Sequence, residues 1–392
     1  MLDRLAAQLR LLEEQGLRRV LASTEPLGQG RIAAGGRAYL NLAGNDYLGL
    51  SGSTALLRDF YAGLADDADV LAKYGLGSGA SRLMTGSHSQ YQELEDALAS
   101  LHGAESALLF NSGWQLNTGI LPALARKGDI ILADKLCHAS LIDGLRLAEA
   151  RHIRYPHLDY AALEKLLRQR HCGQGGTVFI VSESIFSMDG DCADLRLLTE
   201  LKEQYGAVLY IDEAHAVGVR GARGLGLAEE QGVLGRIDLL IGTFGKAWAG
   251  QGAFALCRRA VRDVLVNTAR SFIFTTALPP VSIHWLNFIL PRIAAMETER
   301  QRLAKLAGQL REGLSKAGLS TGGESQIVPV LIGDAARAAH VAAQLREHGF
   351  WVNAIRPPTV PSGTARLRLS LTADMRWEQL AALPELIAAA QP

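Results

Sequence analysis

Short apolar runs alternate with amphipathic stretches through the middle of the chain, from about residue 105 to 280. Ala107-Leu-Leu-Phe110, Asp129-Ile-Ile-Leu-Ala133, Thr177-Val-Phe-Ile-Val181, Ala207-Val-Leu-Tyr-Ile211, Leu239-Leu-Ile241 and Gly252-Ala-Phe-Ala-Leu256 are too short for helices and too uniformly apolar for strands wet on one face. They read as buried strands. Helical spacing between them predicts helices at 114–126, 160–170, 194–205 and 258–270. The alternation predicts an α/β fold: a mainly parallel central sheet with helices on both faces, and ligands beyond the carboxyl ends of the strands.

The flanks follow other rhythms. Leu5, Leu9, Leu12 and Leu17 recur at helical spacing over residues 3–20, with Arg4, Arg10, Glu13, Glu14, Arg18 and Arg19 on the other faces, which predicts an amphipathic helix needing a surface. Residues 41–50 and 75–86 are rich in Gly, Ser and Asn and read as loops. After Leu278-Pro-Pro280 a long helical pattern, 281–317, leads into a smaller α+β part. That part has strands at Ile327–Leu331, Trp351–Ile355 and Arg366–Ser370, a helix at 335–348 and a terminal helix. The expected division is an N-terminal helix and arm (1–45), a large α/β domain (46–280) and a small C-terminal α+β domain (281–392).

Composition narrows the function classes. Among 392 residues, 40 Lys plus Arg balance 40 Asp plus Glu, so no net field of one sign draws in nucleic acid or an anionic membrane. Charges interrupt the apolar pattern of the N-terminus, and nowhere do eighteen apolar residues run together, so a signal peptide and a membrane span are not expected. Cys137, Cys172, Cys192 and Cys257 are widely spaced and form no C-x-x-C pair, which predicts reduced thiols, no metal site and a cytoplasmic location.

The chemistry concentrates at strand ends. Lys246 follows the run beginning at Asp238, and Asp212 and His215 close the run beginning at Ala207. A strand-end lysine can form a Schiff base with the aldehyde of pyridoxal 5'-phosphate, and an aspartate opposite the pyridine nitrogen keeps that ring an electron sink. Ser112-Gly113-Trp114 leaves a strand and opens a helix, so its backbone N–H groups can meet a phosphate. Trp114 and His138 are flat side chains suited to cover the ring, and Ser187 and His215 can reach its phenolic oxygen.

Other motifs fail on their partners. Asp212-Glu-Ala-His215 matches the acidic box of helicases, but the companion phosphate loop would need glycine at Leu240 and Ser or Thr at Ala247. Gly75-Leu-Gly-Ser-Gly-Ala80 fits the loose dinucleotide pattern, yet Asp66–Tyr74 before it is no strand. Thr243-Phe-Gly-Lys246 departs from the Ser-x-x-Lys nucleophile at its first position. Taken singly, Lys246 could be a solvated strand-end lysine and Asp212 a helix cap. Their joint occurrence favours the cofactor.

Asn45-Asp-Tyr-Leu-Gly-Leu50, Gly77-Ser-Gly-Ala-Ser-Arg82, Asp134-x-x-x-His138-Ala-Ser140, Phe186-Ser-Met-Asp-Gly-Asp191, Asp212-Glu-Ala-His215 and Thr243-Phe-Gly-Lys246 occur in one order. In that order they resemble the α-oxoamine synthases, fold type I pyridoxal phosphate transferases. The resemblance implies that Lys246 carries the cofactor and moves protons, and that Asp212 meets the pyridine nitrogen. It places His215 and Ser187 by the ring oxygen and His138 over the ring as hydrogen-bond donor. It gives Gly113, Trp114 and Thr243 to the phosphate, Asn45 and Arg368 to the amino-acid carboxylate, and Arg18, Arg356 and Thr359 to the acyl substrate.

The stretch Arg356–Thr372 is most similar to the family member that condenses L-alanine with a pimeloyl thioester in biotin synthesis, the carrier being coenzyme A or acyl carrier protein. Glycine or serine with another acyl thioester stays open, as does an aminotransferase. The resemblance also implies a homodimer with shared active sites, in which Thr275 and Thr276 reach the partner's phosphate. Three positions depart from the common pattern: Tyr91 where many relatives carry His, Ala80 for Gly, and Trp114 for Phe or Tyr.

Overall fold

The computed structural model describes residues 1–15, 17–65, 75–171 and 175–391, with only the backbone of Arg170 and His171. Cys172 and the Asp66–Tyr74 stretch lie outside the described residues. By internal contacts the chain forms two compact units. One comprises Met1–Ser53, Met188–Asp191 and Gln301–Pro392, the other Thr54–Ser187 and Cys192–Arg300.

In chain order the strands are β1 (Glu25–Gly28), β2 (Arg31–Ala34), β3 (Arg37–Asn41), β4 (Ser106–Phe110), β5 (Ile130–Asp134), β6 (Arg151–Tyr155) and β7 (Val178–Glu183). There follow β8 (Val208–Asp212), β9 (Leu239–Thr243), β10 (Ala253–Cys257), β11 (Ile327–Gly333), β12 (Phe350–Trp351), β13 (Asn353–Ile355) and β14 (Ala365–Ser370). The larger unit holds a seven-stranded sheet ordered β4-β10-β9-β8-β7-β5-β6. Only β10 runs against the others, pairing antiparallel with both β4 and β9. The carboxyl ends of the other six strands therefore share one edge.

The sheet's interior is as dry as its sequence: every residue of β4, β5 and β10 is buried. On one face, Leu116, Ile120 and Leu121 from helix Gly113–Leu124 and Leu141 and Leu145 from helix Ala139–Leu147 pack on Phe110, Ile131, Val181 and Ile241. These two helices approach closely because Gly144 has no side chain; a Cβ there would strike the Asn117 carbonyl oxygen.

The differences from the sequence reading have local causes. The N-terminal helix spans Leu2–Glu14 and buries none of its residues. It ends ahead of Gly16, the poorest residue for a helix interior short of proline. The 281–317 pattern is two helices, Pro280–Ala295 and Glu297–Lys316, broken at Met296, where ψ is 44°. The first of them packs on helix Ser89–His102 in the larger unit, so the contacts divide the chain at 300 rather than 280. The expected strand Trp351–Ile355 changes sheets at buried Val352: β12 pairs with β3, and β13 with β14. β6 carries no apolar run because Arg-His-Ile-Arg-Tyr forms a largely solvated edge. Within 75–86, Arg82–Gly86 forms a π-helical turn. Among the described residues no helix is long and apolar enough to cross a membrane.

Candidate active site

Five of the six strands that share the carboxyl edge deliver a group to it. Ser112 follows β4 and caps helix Gly113–Leu124, its Oγ accepting the Gln115 N–H at 3.2 Å. His138 follows β5 and caps helix Ala139–Leu147. Glu183 ends β7, Asp212 ends β8, and Thr243 ends β9 three residues before Lys246. His138, Glu183, Asp212, Thr243 and Lys246 line a cavity of about 190 Å³, together with Gly113, Trp114, Asn117, Ser140, Ala214 and His215. Of the residues expected to bind a cofactor, only Ser187 is not part of this lining; it lies half-buried on the turn after Phe186.

The polar geometry is specific. Lys246 Nζ and His215 Nε2 lie 2.8 Å apart. Asp212, 6% exposed, accepts hydrogen bonds from Asn117 Nδ2 and the Ala214 N–H, both 2.9 Å. A Cβ on Gly113 would stand 4.0 Å from Thr243, so the helix's first turn and the end of β9 converge on one side of the cavity. That puts unpaired N–H groups and a positive helix end where an anion would sit.

On the other side, the Trp114 and His138 rings meet edge to face, 6.0 Å between centroids, and both remain open to the cavity mouth. The inner surroundings of His138 still desolvate it. This burial lowers its pKa, helped by the Lys246 charge and opposed by Asp212, so the imidazole is held neutral. Glu183 pairs in register with Asp212 and accepts the His138 N–H. Burial, then its carboxylate neighbour, drives its pKa well above the usual range.

A primary amine, a buried carboxylate, an anion seat and flat covering rings therefore surround one space, as pyridoxal phosphate would require. The sequence did not single out Asn117, Ser140 or Glu183. Asn117 lies one turn inside its helix, Ser140 is the second residue of its own, and Glu183 stands two positions beyond the apolar run Thr177–Val181.

The smaller unit holds the remaining expected residues. Arg368 of β14, 7% exposed, donates to Asn45 Oδ1 at 2.9 Å and to the Tyr47 hydroxyl at 3.3 Å, making a compact polar cluster with Asn45. Arg18 turns back to Glu13 at 2.9 Å. It is Arg19 that reaches Thr359 Oγ1, at 3.1 Å, while the Thr359 N–H donates to the Arg356 carbonyl. In the larger unit, Asn111 Nδ2 donates to Thr275 Oγ1 at 3.2 Å and to the Thr276 carbonyl at 2.6 Å.

Residues 37–387 match the family of class I and II aminotransferases. The chain is 53% identical to 8-amino-7-oxononanoate synthase of Chlorobaculum parvum, over 90% of this chain and 89% of that protein. With the Geobacter sulfurreducens protein of the same name it shares 45% identity, over 94% and 93%. Among solved structures it resembles serine palmitoyltransferase from S. paucimobilis with a bound PLP–myriocin aldimine, with a TM-score of 0.90 and 29% identity over 99% of this chain and 96% of that one. It also resembles 8-amino-7-oxononanoate synthase from Francisella tularensis, with a TM-score of 0.74 and 28% identity over 90% and 97%. With nine-tenths of the chain matched at such identity, it belongs to the 8-amino-7-oxononanoate synthase family, within the class I and II aminotransferases.

Proposed function

We propose that this enzyme condenses L-alanine with a pimeloyl thioester, releasing carbon dioxide and a free thiol and forming 8-amino-7-oxononanoate for biotin synthesis. The observation that carries the reading is the Lys246 amine 2.8 Å from His215 and in one cavity with Asp212, in a chain 53% identical to a synthase of that name. Pyridoxal 5'-phosphate is the cofactor; it supplies an aldehyde that captures amines and a pyridinium ring that takes up the electron pair left by a departing α-proton.

Lys246 would hold that group covalently, Asp212 its ring nitrogen, and Gly113, Trp114 and Thr243 its phosphate. Ser187 and His215 would meet the ring oxygen. Once alanine takes its place, the neutral Lys246 amine removes the α-proton and later returns one to the same carbon. His215 steers that amine through their hydrogen bond. His138, neutral and open to the cavity mouth, donates to the thioester oxygen as charge builds there. Asn45 and Arg368 would bind the alanine carboxylate, and Arg18, Arg356 and Thr359 the acyl group or its carrier, coenzyme A or acyl carrier protein. The working form is a cytoplasmic homodimer in which Thr275 and Thr276 serve the partner's phosphate.

Likeness of fold to serine palmitoyltransferases supports a second reading, serine with a longer acyl thioester. The higher identity to the oxononanoate synthases favours alanine. Two measurements test this. Borohydride reduction of the cofactor-loaded protein, followed by peptide mass spectrometry, should find a pyridoxyl group on Lys246. Thiol release should be fastest with L-alanine plus pimeloyl thioester among alanine, glycine and serine, each paired with pimeloyl and palmitoyl thioesters. Faster release with serine and palmitoyl would transfer the assignment to the second reading; an unmodified Lys246 would remove both.

A further inference from the structure

Asp212 and His138 are joined by an amide that neither motif contains. Asn117, 1% exposed, donates from Nδ2 to Asp212 Oδ2 and to Ser140 Oγ, each at 2.9 Å. Its Oδ1 accepts the Tyr210 hydroxyl at 2.5 Å. The orientation is forced, because a carboxylate accepts and does not donate, so the nitrogen end must face Asp212. Both amide hydrogens are then used, one on each side.

The chain of donors continues outward. Ser140, also 1% exposed, receives its hydrogen from Asn117 and keeps its own proton for His138 Nδ1, 2.7 Å away. The Ser140 N–H donates to the same Nδ1 at 3.2 Å. With its lone pair engaged by two donors, Nδ1 cannot carry a proton in the neutral ring, and the ring's single proton sits on Nε2. The close approach allowed by Gly144 holds the two helices at the spacing this relay needs.

We propose that Asn117 and Ser140 are positioning residues for the reaction: one shared amide orients Asp212 and, through the serine hydroxyl, locks His138 as the Nε2–H tautomer that donates to the substrate oxygen. This rests on the reading of His138 as that donor. A relay of this kind costs nothing at the moment of reaction, since the donor is set before substrate arrives.

Nitrogen NMR of the full-length protein labelled with ¹⁵N-histidine, with and without added pyridoxal phosphate, reads the tautomer directly; His138→Gln identifies the resonances. A bonded proton on Nε2 and none on Nδ1 is expected, and a proton on Nδ1, or an even mixture, overturns the proposal. In steady state, Ser140→Ala should lower kcat about tenfold, the loss of one buried hydrogen bond. Its KM for L-alanine and its cofactor absorption should stay unchanged. Asn117→Leu should lower kcat further and also shift the absorption, because it cuts both arms. The double variant should fall no lower than Asn117→Leu; losses that multiply would show two independent residues and sink the relay. The NMR needs no turnover, so a failed borohydride label at Lys246 would strike the catalytic reading and leave the tautomer measurement standing.

Discussion

The two ends of the seven-stranded sheet both carry a cavity, and the larger is at the end without the chemistry. At the amino end, about 250 Å³ is lined by His102, Lys202, Asp238, Leu256, Cys257 and their neighbours; at the carboxyl end the space is about 190 Å³. The amino-end charged groups answer one another, although His102 Nε2 is buried without a partner among the described residues. Lys202 donates to Asp238 at 3.1 Å and to the Arg236 carbonyl at 3.0 Å, and Asp238 accepts the Leu209 N–H at 2.8 Å. At the carboxyl end an amine, a neutral imidazole and two in-register carboxylates crowd together, and their mutual interaction with a cavity between them is what a ligand would resolve. Volume does not choose the site; unsettled charge does.

The contrast breaks first at Lys246. Lys246→Ala is expected to reduce turnover by about 10⁴-fold or more and abolish borohydride labelling, since in the proposed reading Lys246 is both tether and base and has no substitute. Turnover within tenfold of the parent would place the chemistry elsewhere. Next comes His138→Gln, for which kcat should fall about 10²-fold, the usual worth of a positioned proton donor. An unchanged kcat would demote that ring to packing.

At the other end, changes should touch stability and spare turnover. Burial lowers the His102 pKa to about 4, below an ordinary 6.5, so the unfolded chain binds the proton first. Stability conferred by the neutral ring is complete above the ordinary value and is lost as pH falls toward the lowered one. From about pH 7 to about pH 5 this amounts to about 2 kcal/mol. Melting curves of His102→Leu should show a flatter acid limb than the parent, with kcat the same; an unaltered acid limb would mean that His102 does not govern it. Smallest of all, Lys202→Met should cost about 1 kcal/mol, the worth of a partly exposed ion pair, and leave kcat within about twofold. A large loss of activity there would make the amino-end cavity functional.

Legibility in the sequence tracked locality. The buried strands were visible because parallel strands covered on both faces have nearly continuous apolar runs. Lys246, Asp212 and His138 were visible because each stands where such a run stops. The edge strand Arg151–Tyr155 was hidden by its polar, half-solvated composition. Glu183 stands just past the apolar run Thr177–Val181, and only the register that sets it beside Asp212 makes it part of the site. Arg18 was given to the acyl substrate by resemblance alone; with the helix ending at Glu14, Arg18 pairs with Glu13 and its neighbour Arg19 reaches Thr359.

By itself the sequence determined the layered α/β architecture and pointed to the strand ends where Lys246, Asp212 and His138 stand, because apolar periodicity and strand-end residues are properties of a few consecutive positions. Tertiary structure alone decided which polar groups touch. Asn117, Ser140 and Tyr210 lie 23 to 93 positions apart in sequence, and Asn117 bonds to the other two only because its helix packs both on the helix of Ser140, at Gly144, and on the sheet whose strand β8 carries Tyr210. A hydrogen bond is set by distances of tenths of an ångström, and those exist only after the core has closed around it.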